Sequence, residues 1–184
     1  MTLRLRVADL DDAEDVALLH ADSWRRYYRG AYSDSYLDGD IVTDRLAVWS
    51  ARLAAPAATR TVVAEDDTRL LGFVHVVFDD DARWGSLIDN LHVTRDHQRT
   101  GIGTELIACA AQGVVEWATG KSVYLWVQEQ NLTAQQFYQA TGGSRVERAP
   151  ISPPGGVPSR LVGRPHKLRF TWPDASALAG ATRR

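Results

Sequence analysis

Apolar positions along the chain change period repeatedly, and each change marks an element. Leu3, Leu5 and Val7 alternate with Arg4 and Arg6, the period of a half-buried strand over residues 1–7 rather than a signal peptide. Asp9 or Asp11 can cap a following helix with Val16, Leu19 and His20 on one face. An aromatic stretch comes next: Trp24, Tyr27, Tyr28, Tyr32 and Tyr36. Thr43 can cap a second helix with Leu46, Trp49 and Leu53 inward. Residues 61–65 and 70–78 are rich in β-formers, and the Asp66-Asp67-Thr68-Arg69 turn between them makes a hairpin. Another strand is expected at 86–93. A helix follows over 103–119, with Leu106, Ala110, Val114 and Trp117 on one stripe and Gly120 stopping it. Residues 122–128 read as a strand, Asn131 opens a helix that Gly142 and Gly143 end, and 144–148 and 166–172 are two last strands. Between those two lies a loop, Ala149 to Pro165, with five prolines and three glycines. Loops of that length in compact domains are more often functional than idle.

This order predicts an α+β fold. One mixed, mostly antiparallel sheet of about seven strands is flanked by about four helices. The crossover from 86 to 128 should be parallel and right-handed. One domain is expected over 1–172, with a flexible tail at 173–184.

Composition narrows the function. The 184 residues carry 21 basic and 23 acidic side chains, a net charge of −2, which argues against a nucleic-acid partner. No apolar run approaches the roughly 18 residues of a membrane span, so no membrane partner is expected. Cys109 is the single cysteine, and its neighbours Ile107, Ala108, Ala110 and Ala111 mark it as a small buried hydrophobe. One thiol forms no internal disulfide, and the expectation is a soluble, cytoplasmic protein. No His-x-x-x-His or paired cysteines occur, so no metal is expected.

The informative chemistry lies where the 86–93 strand ends. Gln98-Arg99-Thr100-Gly101-Ile102-Gly103-Thr104 joins that strand to a helix. A helix N-terminus leaves four backbone N–H groups unpaired and carries about half a positive charge. Glycines let an anion approach that backbone closely, and Arg99 adds a counter-charge. A dinucleotide-binding Gly-x-Gly-x-x-Gly is excluded because Leu106 stands at the third position, and no Gly-Lys-Ser/Thr exists for a P-loop.

Gln-Arg-x-Gly-x-Gly after a strand resembles motif A of the GNAT superfamily of N-acetyltransferases. Asn131-Leu-Thr-Ala134-Gln-Gln-Phe137-Tyr138-Gln-Ala-Thr-Gly142 resembles that family's motif B, one helix and one strand further on. The likeness covers most of residues 3–172. Gly143 departs from it, since an aromatic residue usually follows the motif B glycine. The resemblance implies a sheet in which strand 86–93 splays from 122–128. It also implies acetyl-coenzyme A as co-substrate, with its pyrophosphate on Gln98 to Thr104. The pantetheine would lie along the backbone of Leu91, His92 and Val93, with Asn131 hydrogen-bonding it. Tyr138 becomes the general acid for the leaving thiolate.

The acceptor would be a small-molecule or peptide amine, and relatives of this kind are often monomers or homodimers. A protonated alkyl amine has a pKa of ~10, so a base must generate the nucleophile. The candidates are Asp89, two residues before Leu91 and so expected on the face of Leu91 and Val93, and Glu129, just after the other splayed strand. The resemblance implies an acceptor pocket made by the aromatic helix-loop region and the late loop 149–165, with Trp24, Tyr28, Tyr32 and His75 as its candidates. Asp34, Asp38 and Asp40 would make it mildly acidic. A non-catalytic acyl-coenzyme A sensor on the same scaffold is the alternative.

Overall fold

The computed structural model describes residues 3–180. Seven strands form one sheet: β1 (Arg4–Val7), β2 (Thr59–Glu65), β3 (Leu70–Asp81), β4 (Gly85–Val93), β5 (Val123–Gln128), β6 (Ser144–Pro150) and β7 (His166–Trp172). Their order is β1-β2-β3-β4-β5-β7-β6, and every neighbouring pair is antiparallel except β4–β5. The expected parallel crossover is therefore present, carried by α4 (Ile102–Trp117). The other helices among the described residues are α1 (Ala13–Tyr27), α2 (Asp34–Asp38), α3 (Ile41–Ala54), α5 (Leu132–Ala140) and α6 (Ala175–Ala179).

Each face of the sheet has its own core. On one, Leu106, Ile107 and Val114 of α4 meet Val62, Val74, Val76 and Leu125. On the other, Val16 and Ala17 of α1 and Trp49 of α3 cover Val63 and Phe73. A third cluster ties Tyr32, Tyr36 and Leu37 to Ile41, beside the late proline-rich loop. Burying each large side chain contributes roughly 1.5–3 kcal/mol, so the two faces hold the sheet rigid between them.

The feature that shapes the site is a bulge. Val76 of β3 pairs with Ile88 of β4, but the next residue back, His75, pairs with Asn90, which leaves Asp89 as an extra residue. A bulge bends its strand and increases its twist. Here β4 pairs with β5 only at Ser86↔Val123 and Leu87↔Tyr124, before the bulge, and the ladder ends beyond it.

Some expectations are corrected. Pro173 onward was expected to be a flexible tail. Instead Asp174 caps α6 by accepting from the Ser176 amide at 2.8 Å, and Ala175 and Leu178 are fully buried against α4. Met1, Thr2 and 181–184 lie outside the described residues. Trp117, expected inward, is 69% exposed on the last turn of α4, with Arg60 stacked over it. Leu46 is exposed too, and α3 begins at Ile41, so Thr43 lies inside it rather than at its cap. Cys109 is only partly buried.

Candidate active site

Where β4 and β5 separate, a cleft of about 620 Å³ opens between them. Its floor is Ile88 to Val93 on one side and Leu125, Trp126 and Val127 on the other. Leu91 and Val93 pack toward α4. The strand edge at 88–93 has no β5 partner along this stretch. Unpaired ladder groups of that kind are a template for an added extended chain. Two glutamines brace the open end against the C-terminus of α1. The Tyr27 hydroxyl donates to Gln98 Oε1 at 3.0 Å, and Gln130 Nε2 donates to the carbonyls of Tyr27 and Arg29 at 2.6 and 3.0 Å.

The loop before α4 has the backbone shape that an anion site needs. Arg99 has φ 64° and Gly101, at the helix cap, φ 95°, so the chain takes two left-handed steps within three residues. The first amides of α4 then lack carbonyl partners within the helix. Nothing lies within 4 Å of a Cβ built on Gly101. Gly103 sits over Phe137 and Val93, where a Cβ would meet ordinary contacts at 3.6 and 3.8 Å. Gly101 is thus the glycine required by conformation. Arg99, Gly101, Gly103 and Thr104 line the cleft. Thr100 and Ile102 do not: the Thr100 hydroxyl donates to the His97 carbonyl at 2.6 Å, and Ile102 is buried in the core.

Across from this loop, α5 presents Asn131, Phe137 and Tyr138 to the cleft. Asn131 Oδ1 caps the helix by accepting from the Ala134 amide at 3.2 Å, which leaves its amide nitrogen for other work. Tyr138 follows seven residues later, two turns along, so both face the same way. Its ring is wedged between Phe170 and Trp172, with centroids 5.9 and 6.1 Å away. Burial alone pushes its phenol above the usual pKa, so it remains protonated. Gly143 explains the departure in motif B. A Cβ there would lie 2.5 Å from Trp172 Cζ2, so the β7 indole occupies the space of the usual aromatic neighbour.

The bulge also decides where Asp89 points. By simple alternation Asp89 would share the face of Leu91 and Val93, toward α4. The extra residue reverses this, and the carboxylate meets Arg52 of α3 at 2.8 Å on the opposite face. Asn90 Nδ2 donates to the same carboxylate at 2.7 Å. Nearby, His92 stacks on His20 with centroids 4.8 Å apart. Trp49 Nε1 donates to His20 Nδ1 at 3.0 Å, which places the His20 proton on Nε2. Burial depresses both imidazoles, His92 to about 4, so both are neutral at physiological pH.

Residues 20–142 match the Acetyltransferase (GNAT) family. The chain belongs to that family. An uncharacterized N-acetyltransferase of Bacillus subtilis, YuaI, is 28% identical over 177 residues, covering 95% of each chain. Among solved structures, the PaiA N-acetyltransferase of Thermoplasma acidophilum, in complex with coenzyme A, superposes with a TM-score of 0.69 at 18% identity. It covers 94% of this chain and 100% of its own. The yncA putative acetyltransferase of Salmonella typhimurium, with acetyl-CoA, gives 0.66 at 16% identity and 94% coverage of each. Arabidopsis thaliana NAA60, in complex with acetyl-CoA, gives 0.68 at 17% identity, with 93% and 98% covered. The seven-stranded sheet with its splayed parallel pair is thus the GNAT fold.

Within this GNAT cleft the expected residues divide. Leu91, His92, Val93, Gln98, Trp24 and Tyr28 line it, with Asp89 and Tyr138. Glu129 does not. Its carboxylate is paired at 2.8 Å with Arg148 of the edge strand β6. His75 is buried behind the cleft, bonded to Thr61 Oγ1 at 2.7 Å and edge-on to Trp49. Tyr32 packs behind Trp24 and Tyr28 rather than in the lining. The acidic pocket is also corrected: Arg29 binds Asp34 and Asp38 on the exterior, and Asp40 is exposed. Among the described residues no cluster of His, Cys, Asp and Glu fits a metal ion, and no helix is long and apolar enough to cross a membrane.

Sequence reasoning missed His20 as a cleft residue, and also Tyr27, Arg45, Arg52 and Trp126. A signal existed for the arginines. Arg45 and Arg52 are seven residues apart beside Trp49, which puts them on one helical face.

Proposed function

We propose that this protein transfers an acetyl group from acetyl-coenzyme A to a primary amine. The observation that carries the reading is the splay of β4 from β5, with a left-handed Arg99–Gly101 cradle at its mouth. The residues present fit the co-substrate. Arg99 and the first amides of α4 suit a pyrophosphate, the open β4 edge suits the amide groups of a pantetheine arm, and the Asn131 amide can bond the same arm. Acetyl-coenzyme A supplies the activated acyl group as a thioester.

The remaining steps belong to this chain's residues. Asp89 accepts the proton that the amine gives up, directly or through one water, as a new C–N bond replaces the C–S bond. Of the two carboxylates considered for this role, Asp89 is the one that lines the cleft. A backbone N–H of the β4 edge polarises the thioester carbonyl. Tyr138, kept protonated by burial, donates its O–H to the leaving sulfur. No side chain carries the acyl group, because holding both substrates in one cleft supplies much of the rate. The reading is tested by thiol release from acetyl-coenzyme A in the presence of an amine panel. Thiol released in step with acetylated amine supports it. A protein that binds acetyl-coenzyme A yet releases no thiol with any amine is a sensor rather than an enzyme.

A further inference from the structure

The half of the cleft lined by α1 and α3 lies on the sheet face opposite α4, so its charges are available to the acceptor. Among the described residues, the charged side chains lining that half are Arg45, Arg52 and Asp89. Arg52 is tied to Asp89 at 2.8 Å and stacks over Trp49. Arg45 donates from Nη2 and Nε to Asp44 Oδ2 at 2.6 and 3.1 Å and lies 4.4 Å over the ring of Trp24. Asp44 does not belong to Arg45 alone: Arg160 Nη1 donates to its other oxygen at 3.0 Å. Three arginines therefore share two carboxylates. His20 and His92 add no charge. The aromatic rings hold the guanidiniums in place, and with the Nε/Nη2 edge of Arg45 on Asp44, its Nη1 is left to bond a carboxylate oxygen.

We infer that the acceptor is a primary amine that also carries a carboxylate close to its nitrogen, an amino acid rather than a polyamine or a peptide N-terminus. This rests on the acetyl-transfer reading above. Asp89 takes the amine, and Arg45, with the free N–H groups of Arg52, takes the carboxylate. A polycationic amine would add positive charge beside an existing cationic surplus. A peptide N-terminus has an amide where the carboxylate should be.

The test uses the full chain with acetyl-coenzyme A and follows thiol release. Each free L-amino acid is compared with its α-amide, its decarboxylated amine and a dipeptide bearing it at the N-terminus. Hydrogen bonds to charged groups are the strong ones, so the free acid should exceed its amide by about tenfold or more in kcat/KM. In Arg45→Gln the ratio should fall toward one, and Arg45→Lys should retain part of it. Amides, decarboxylated amines or dipeptides that match or exceed the free acids overturn the inference while leaving acetyl transfer standing. So does a protein that binds acetyl-coenzyme A but acetylates no free amino acid. Absence of acetyl-coenzyme A binding in folded protein removes both readings. The wild-type comparison decides the matter even if the arginine variants fail to fold.

Discussion

Replacing Tyr138 with phenylalanine removes one O–H and leaves the ring in its slot between Phe170 and Trp172. Burial is the sole cause of the raised phenol pKa, with no hydrogen bond contributing, so the substitution leaves no protein group unpaired. Folding stability should therefore change by less than about 0.5 kcal/mol. Catalysis should respond differently. Full proton transfer from a phenol above pKa ~10 to a thiolate near ~8.5 is uphill. Tyr138 then acts mainly as a charge-assisted hydrogen-bond donor to sulfur, which contributes about 1.5–3 kcal/mol in the transition state. That corresponds to a loss of about 10- to 150-fold in kcat, with KM for acetyl-coenzyme A nearly unchanged. Steady-state thiol release and a denaturant titration on the same preparation measure both quantities. A kcat within about threefold of wild type would refute the role. A loss confined to KM would refute it too, since it would mean that the hydroxyl binds ground state and transition state alike.

Asp89→Asn should lower kcat/KM by about 10²-fold or more, whereas Glu129→Gln, at the outer edge with Arg148, should change it by less than about twofold. Equal effects of the two would contradict the bulge-directed assignment. Gly143→Ala forces a Cβ to within 2.5 Å of Trp172 and 2.8 Å of the Tyr138 carbonyl. It should cost about 1–3 kcal/mol by denaturant titration. His75 is buried with its pKa lowered from 6.5 to about 4. The unfolded chain therefore takes up the proton first, and the stabilisation, full above pH 6.5, is lost as pH falls toward 4. For His75 alone the loss between pH 7 and pH 5 is about 2 kcal/mol, and His20 and His92 act in the same direction. Stability that is flat over that interval would contradict the burial of these imidazoles.

Local patterns in the sequence located most of this architecture. Strand alternation, the Asp66–Arg69 turn and the glycine-flanked helices each depend on neighbours within a few residues, and so does the Gln98–Thr104 loop. The parts that were not legible depend on pairing across the sheet. Alternation along β4 places Asp89 beside Leu91, and only the register against β3 reveals the extra residue that turns it toward Arg52. Glu129 reads as equivalent to Asp89 because its ion pair with Arg148, nineteen residues on in β6, is made only in the fold. The acidic turn residues looked like a pocket because the Arg29 pairs that hold them outside are made in the fold. The α6 segment, Ala175–Ala179, is rich in alanine but only five residues long, too short to hold a helix alone, and docking on α4 supplies the rest.

Calorimetric titration of acetyl-coenzyme A into the wild-type chain and into Gly101→Glu tests the central claim most directly. The cradle predicts micromolar binding by the wild type. It predicts that a glutamate in that left-handed position, with its charge at the pyrophosphate site, weakens binding at least tenfold. Folded wild-type protein that binds no acetyl-coenzyme A at millimolar ligand, or a Gly101→Glu variant that binds as tightly as the wild type, would contradict it.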